Sequence, residues 1–552
     1  MLERATFLAG ALKGVGLMTS FHSMLTGTVI DHLISPLLVF ASLLLLMVSK
    51  SFSADDLAVQ PLAERPYLTL FAASLDRLRD SGLRIVESVD RTDLAKSLDE
   101  RSSNTQNFAG IERTKPLGMM STWNGISTAD ILFVPIDDIQ NLLQTATFGV
   151  VGFHQVTPNH YEIERPGSPY QVLIRSPYAL FGDSLASIRA IRGSPDQLTQ
   201  GLRQRYDVGL KLDLLQIPQP VKLRYIASLR SQFEPLLQPQ DDELIESASL
   251  RKTVGKRLLD LFERTLLDTR QVTLGIRLDP DSRQLSLEMV IEAVEKSRMA
   301  NGLNTSSSHR SEFASLIQPD VPAGIAFQLP ISSLFSQTTD LNTESPTIDS
   351  PLEAAIQIAG TGLGDLSLIM AVHGPDANKF NEMIPNLIIK LEKSGYFRDV
   401  YENLDLHLGV VLHRVVPREL PALMTQWIGS EIEMLIGQGK QTVWMGIGHP
   451  GPLQERLQTA IELVDQPTTN RATSQLVKAR FQARKLPELV ATDLLVTDTE
   501  TARAEFAEGE DGFSLTVDPI PNGLKVRIEF EAGFVRLIAR GLINQLETGP
   551  TP

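Results

Sequence analysis

The chain contains no cysteine in 552 residues. That absence excludes disulfide frameworks, thiolate zinc and iron–sulfur sites and cysteine nucleophiles together, so stability must come from packed cores. Positive charge is also scarce, with 51 basic residues against 66 acidic ones, a formal charge of −15 and a pI near 5.2. No Lys/Arg-rich run occurs, and nucleic acids are bound through a basic face, so nucleic acid is excluded as a partner. The acidity reads as solubility. What remains, 42% hydrophobic and 21% charged residues, is ordinary globular composition at a length suited to two to four domains.

Long apolar runs are absent with one exception. Leu33 to Val48 reads LISPLLVFASLLLLMV, 16 residues that fall short of the about 20 that span a bilayer comfortably. Ser51 and Ser53 then stand at the small-residue positions that signal peptidase reads, so cleavage after Ser53 or Ala54 is expected. Before the run, Arg4 and Lys13 are the only cations, which makes Met18 or Met24 an alternative start. Residues 1–54 are therefore expected to be a signal peptide or an N-terminal membrane anchor, and any membrane contact to run through residues 33–48 alone.

Beyond this leader the same landmarks occur twice, in the same order. A strand running into a polar helix start is read at Tyr67–Phe71 and again at Gly324–Leu329. A second strand is read at Ile131–Ile136 and at Leu366–Val372, each followed by an amphipathic helix, the latter helix kinked at Pro385. A hairpin is expected at 161–175 around Pro166-Gly167-Ser168, with its counterpart at 397–414 turning at Glu402-Asn403. Strands ending in a glycine turn follow at Tyr178–Gly182 and Val443–Gly448. Strands closing on a proline follow at Val208–Pro218 and Leu476–Pro487. A last hairpin is read at 272–291 and at 513–530, where Leu285, Leu287, Met289 and Ile291 alternate with polar residues.

The fold class expected is α+β, two tandem copies of a module with a mainly antiparallel sheet and helices packed on one face. The first copy spans 62–298, a polar linker 299–319, and the second copy 320–545, with a Ser/Thr/Pro-rich loop at 336–350. The second copy is expected to carry an inserted amphipathic helix between Pro417 and Gln441, because Leu420, Leu423, Trp427, Ile428, Ile432 and Leu435 recur at helical spacing.

With Lys115-Pro116-Leu117-Gly118, Tyr206-Asp207-Val208-Gly209 and Val272-Thr273-Leu274-Gly275 in this order, the chain after the leader resembles a family of uncharacterised exported proteins of planctomycete bacteria. The resemblance implies export and repeated architecture. It implies no activity and no site residues.

Chemistry-bearing motifs each have a plainer reading. Gly182-Asp183-Ser184-Leu185 after a strand looks like the nucleophile block of GDSL-type esterases. That chemistry needs a histidine base, its orienting Asp and oxyanion donors. The blocks that carry them there, Asp-x-x-His and Gly-x-Asn-Asp, are absent, so a glycine turn with a helix cap is expected. Gly360-Thr361-Gly362-Leu363-Gly364-Asp365 precedes its strand, whereas a dinucleotide loop follows one. His407 and His413 sit about 20 Å apart on an extended strand and cannot share a metal, and His154 and His160 lack carboxylates at ligand spacing. Glu508-Gly509-Glu510-Asp511-Gly512 lacks the ligand order of a calcium loop. Asp137-Asp138 and Asp241-Asp242-Glu243 suit helix starts, and Arg251, Lys252, Lys256 and Arg257 suit a solvated helix face.

No catalytic, cofactor or metal residue is therefore assigned. The function expected is a non-catalytic exported cell-envelope or periplasmic protein, a binding or scaffold element for an envelope protein or ligand. The alternatives are a carrier of an apolar ligand in a sheet–helix groove and an envelope hydrolase.

Overall fold

The computed structural model describes residues 65–103, 108–123, 128–144, 152–164, 169–238, 245–307, 311–329, 352–374, 397–418, 422–465, 475–486 and 510–548, with a few positions in 384–393 and 500–506. The expected leader, the expected loop 336–350, the start of the expected helix at Asp376 and Asp241-Asp242-Glu243 lie outside these residues. The chain divides into two compact units, one running to Val294 and taking in the C-terminal segment from Ile538, the other running from Glu295 to Leu537.

The first unit opens with β1 (Leu68–Ala72), α1 (Leu75–Ser88), α2 (Thr92–Ser103), β2 (Leu117–Trp123) and β3 (Thr128–Pro135). There follow α3 (Ile139–Gln144), β4 (Phe153–Thr157), β5 (His160–Ile163), β6 (Tyr170–Arg175) and β7 (Tyr178–Gly182). It closes with α4 (Leu185–Ala190), α5 (Pro195–Arg203), β8 (Val208–Asp213), α6 (Gln219–Phe233), α7 (Ile245–Asp268), β9 (Thr269–Leu278) and β10 (Leu285–Ala293). Every pairing is antiparallel, in the order β4-β5-β6-β7-β3-β2-β1-β8-β9-β10.

The second unit contains α8 (Arg298–Ser307), β11 (Ala323–Leu329), β12 (Leu352–Ala359), β13 (Ser367–His373), β14 (Phe397–His407) and β15 (Val410–Pro417). It continues through α9 (Ala422–Ile428), β16 (Glu433–Gln438), β17 (Thr442–Gly448), α10 (Pro452–Asp465), β18 (Val477–Gln482), β19 (Gly512–Ile520), β20 (Gly523–Phe530) and the start of α11 (Ala532–Thr548), whose residues from Ile538 belong to the first unit. Its antiparallel order is β14-β15-β16-β17-β13-β12-β11-β18-β19-β20. The two strand orders are the same, each strand of the second unit taking the place of the one ten earlier. Both units also place a 3₁₀ turn directly after the corresponding strand, Leu214–Gln216 after β8 and Ala483–Lys485 after β18.

Register shows how each sheet buries a face. In the first unit one row across the strands reads Gly209, Phe71, Gly118, Phe133, Leu180. Phe71, Phe133 and Leu180 are all but completely buried. The glycines make room for the rings: a Cβ on Gly209 would lie 2.5 Å from the Phe71 ring, and one on Gly275 would lie 2.2 Å from the Tyr206 ring. The recurring glycines at 118, 209 and 275 are thus packing positions. The corresponding row of the second unit reads Lys478, Ala326, Ala355, Ala371, Trp444, with small residues where the first has phenylalanines. Phe313, on a 3₁₀ turn (Phe313–Leu316), meets Trp444 edge-on at 6.0 Å and fills the space above the alanines.

The α+β class holds, and four expectations are corrected. Helices cover both faces of the first sheet rather than one. Ile188 of α4 and Leu202 of α5 pack with Ile131 and Phe133, whereas Leu142 and Leu143 of α3 pack with Val134 and Phe181 on the opposite face. The unbroken apolar run Ile131–Ile136 carries that two-sided burial.

The expected linker 299–319 carries α8 and the turn Phe313–Leu316, whose Phe313, Leu316 and Ile317 belong to the second core. The expected turn at Glu402-Asn403 is a bulge: β14 continues to His407 and turns at Leu408-Gly409, both with positive φ. Finally, α9 occupies part of the expected inserted helix, but Glu433–Gln438 is strand β16, paired with β15 and β17. By strand order the hairpin β5–β6 corresponds to β15–β16, one strand later than its expected partner, so α9 lies in a lengthened hairpin connection.

Candidate functional site

Three of the weighed motifs fall wholly or partly among the described residues, and the described part of each is engaged in holding the fold. Ser184 caps α4, its Oγ accepting the Ser187 N–H at 3.2 Å. In the Gly360–Asp365 turn, the Asp365 carboxylate accepts from the backbone N–H and Oγ1 of Thr361 and pairs in bidentate fashion with Arg456 at 2.8 and 2.9 Å. That loop's polar groups thus close a β12–β13 hairpin onto α10. The Asp365 carboxyl is held below its usual range by Arg456 and Thr361, against the opposing effect of partial burial. In the acidic turn, Asp511 accepts the Arg484 N–H at 2.5 Å, and Glu510 lies 3.9 Å from Arg536.

His407 and His413, expected on one extended strand, lie instead on the paired strands β14 and β15, either side of the Leu408-Gly409 turn. His407 lies 3.1 Å from Glu462, His154 lies 3.2 Å from Glu162, and His160 meets Gln171 at 2.7 Å. His413 is buried and its Nδ1 accepts the Asn403 N–H, closing the β14 bulge; burial lowers its pKa. Among the described residues no group of three or more His, Asp and Glu is placed to hold a metal. Nor is any described helix long and apolar enough to cross a membrane. On α7, Lys252 and Lys256 are exposed, as a solvated face requires.

The most unusual polar arrangement is one that sequence reading missed. It is a row at one end of the second sheet, where register aligns Gln328, Glu353, His373 and Thr442 across β11, β12, β13 and β17. These positions share a face with Ala326, Ala355, Ala371 and Trp444, two residues along each strand, so they continue the buried face in polar form. Gln328 is 2% exposed and Glu353 is 5% exposed. The Glu353 carboxylate accepts from the Glu312 N–H at 3.0 Å and from Ser311 Oγ at 3.4 Å. Burial, reinforced by the neighbouring Glu312 charge, pushes its pKa up to about 7 against those two donors. Neither side-chain atom of the Gln328 amide has a hydrogen-bond partner among the described residues. An unmade bond on a buried polar group costs about 1–3 kcal/mol, so the row is an expensive feature.

His373 Nδ1 lies 3.3 Å from Thr442 Oγ1. Thr442, His373 and Glu353 therefore follow one another in the order of nucleophile, base and orienting acid, yet no ion pair joins His373 to Glu353. What the row can do chemically is take up and release a proton near neutral pH. The sequence signal was a Gln and a Glu at core positions of two alternating strands, visible only once β12 is recognised as a strand.

Comparison of the chain with protein-family models, with curated proteins and with solved structures finds no match.

Proposed function

We propose that the protein is a non-catalytic exported component of the cell envelope, in which two copies of one α+β module act as a binding or scaffold element. The observation that carries the repeat is the shared strand order, ten antiparallel strands among the described residues of each unit with the same non-sequential pairings, β1 with β8 and β11 with β18. Two unrelated α+β domains would have to arrive at that order independently. The resemblance to exported planctomycete proteins and the leader Leu33–Val48 support export. The engagement of Ser184, Asp365 and Asp511 in caps and ion pairs favours a structural role over a hydrolytic one.

The export half is tested by fractionating cells that express the full chain with a C-terminal tag. The tag should be recovered outside the cytoplasmic membrane, with an N-terminus near Ala54 or Asp55 if the leader is cleaved. Full-length soluble chain in the cytosol would remove the reading.

A further inference from the structure

The row described above bears on how the second core is closed. Its lid is the segment Ser311–Ile317, which places Phe313 and Leu316, 0% and 1% exposed, against the sheet. Three polar contacts join that segment to the sheet. Ser311 Oγ and the Glu312 N–H donate to Glu353 of β12, and Lys478 Nζ of β18 donates to the Ala314 carbonyl at 3.1 Å. A fourth, Ser315 Oγ to the Leu463 carbonyl at 3.4 Å, ties it to α10. The sheet side of the latch cannot yield easily, since β12 is paired along both edges. The segment side is a single 3₁₀ turn.

We propose that Glu353 is a proton-operated latch: its neutral carboxyl keeps the Ser311–Ile317 turn seated on the sheet, and loss of that proton to solvent loosens the turn from Trp444. Ionisation puts a charge where almost no water reaches, with the Ser311 hydroxyl and the peptide N–H groups of Glu312 and Phe313 favouring it. Desolvation of the carboxylate outweighs these donors, and admitting water is the least costly relief. The Gln328 amide, unpartnered among the described residues and in the same row, offers the carboxylate no existing bond to exchange. The titratable groups facing Glu353 are Glu312 on the turn, His373 on β13 and Lys478 on β18. Glu312 opposes ionisation. Burial lowers the Lys478 pKa. His373 stands one strand away in the row.

The turn, once lifted, returns Glu353 to ordinary carboxylic behaviour. With a pKa moving between about 7 and 4.5, the closed-to-open ratio should fall roughly a hundredfold between pH 5 and pH 8. Native-state hydrogen exchange on the full chain, corrected for intrinsic pH dependence, reads this directly in a peptide covering 311–317. The protection of that peptide should fall by that factor while β12 and β13 stay protected. Glu353→Gln, which keeps an acceptor for Ser311 and Glu312, should make it independent of pH, and His373→Gln should leave the dependence in place. Should Glu353→Gln fail to fold, Ser311→Ala serves instead: removing a donor to the carboxylate should move the midpoint to higher pH. Flat protection in the wild-type chain, a transition that survives Glu353→Gln, an unmoved midpoint in Ser311→Ala, or one abolished only by His373→Gln would each overturn the proposal.

Discussion

The two units reach one strand order by opposite means. In the first, large rings lie on glycines, Phe71 over Gly209 and Tyr206 over Gly275. In the second, the corresponding row is three alanines ending in a tryptophan, and the missing volume comes from outside the sheet, on Phe313. Two residues further along, the contrast sharpens. Where the second unit places Gln328, Glu353, His373 and Thr442, the matching positions of the first are Ala73, Pro116, Pro135 and Tyr178. A buried face thus has to be filled to native density, but which layer supplies the volume is free. The order of strands depends on alternation and turns, which both units share.

The largest effect expected from breaking this contrast is at Phe133, fully buried and matched by Ala371. Phe133→Ala should destabilise the first unit by about 4 kcal/mol, because its fully buried ring packs with Ile131, Tyr178, Ile188 and Leu202 and its loss leaves a cavity among them. Urea unfolding monitored by hydrogen exchange on β2 and β3 would measure it, and a loss below about 1 kcal/mol would show that the first core is not built on its rings.

The polar row predicts a pH dependence confined to the second unit. The Glu353 pKa is raised from 4.5 to about 7 on folding, so its contribution is whole below pH 4.5 and is lost as pH rises through 7. Up to about 3 kcal/mol of stability should disappear over that window, and Glu353→Gln should flatten the profile. Stability of the second unit rising over that range in the wild-type chain, with the rise absent in Glu353→Gln, would reverse the sign of the account.

A smaller contrast lies at Gly118 and its match Ala355. A Cβ on Gly118 would meet the Leu70 carbonyl oxygen at 2.0 Å, a backbone atom that cannot swing aside. Gly118→Ala should cost about 2 kcal/mol, and the reverse change Ala355→Gly about 1 kcal/mol, both readable by calorimetry. Smallest is Ser184→Ala, which removes the cap on α4 and should cost about 1 kcal/mol while leaving any measured ester hydrolysis unchanged. Loss of turnover in a folded variant would restore the esterase reading.

Much of this architecture was legible beforehand. Strands with a clear apolar face and a strong stop were found in both units: β1, β3, β7, β8 and the hairpin β9–β10, with their matches. Ser184 was rightly read as a cap. What escaped had specific causes. β2 and β12 were passed over: Leu352, Ala354, Ile356 and Ile358 do alternate along β12, but Glu353, Ala355, Gln357 and Ala359 on its other face are small or polar although that face is buried, and without β12 the row through Glu353 could not be seen. Asn403 does have positive φ, as a turn residue would, but it serves a bulge, while the real turn contains Leu408, whose φ of 47° no propensity foretells. The apolar spacing from Leu420 to Leu435 is shared between α9 and β16, and a short helix followed by a strand mimics one longer helix. The two-sided cover of the first sheet follows from α3 packing opposite α4 and α5, a tertiary fact that periodicity within one strand does not encode.

The absence of cysteine offers the most direct test of the central claim, that one strand order is built twice. Leu70 faces Leu210 across β1 and β8, and Ile325 faces Ala479 across β11 and β18, at matching positions of the two units. Facing residues on antiparallel strands have Cα atoms about 4.5–5.5 Å apart, within reach of a disulfide. In an otherwise cysteine-free chain, the double substitutions Leu70→Cys/Leu210→Cys and Ile325→Cys/Ala479→Cys should each oxidise to one intramolecular disulfide, identified by mass spectrometry of the linked peptides. Shifting one partner of each pair by a single residue should abolish the link, since the side chain then points to the opposite face. Closure of one pair while the other remains as free thiols in a folded chain would show that the units do not share a strand order, and would contradict the account.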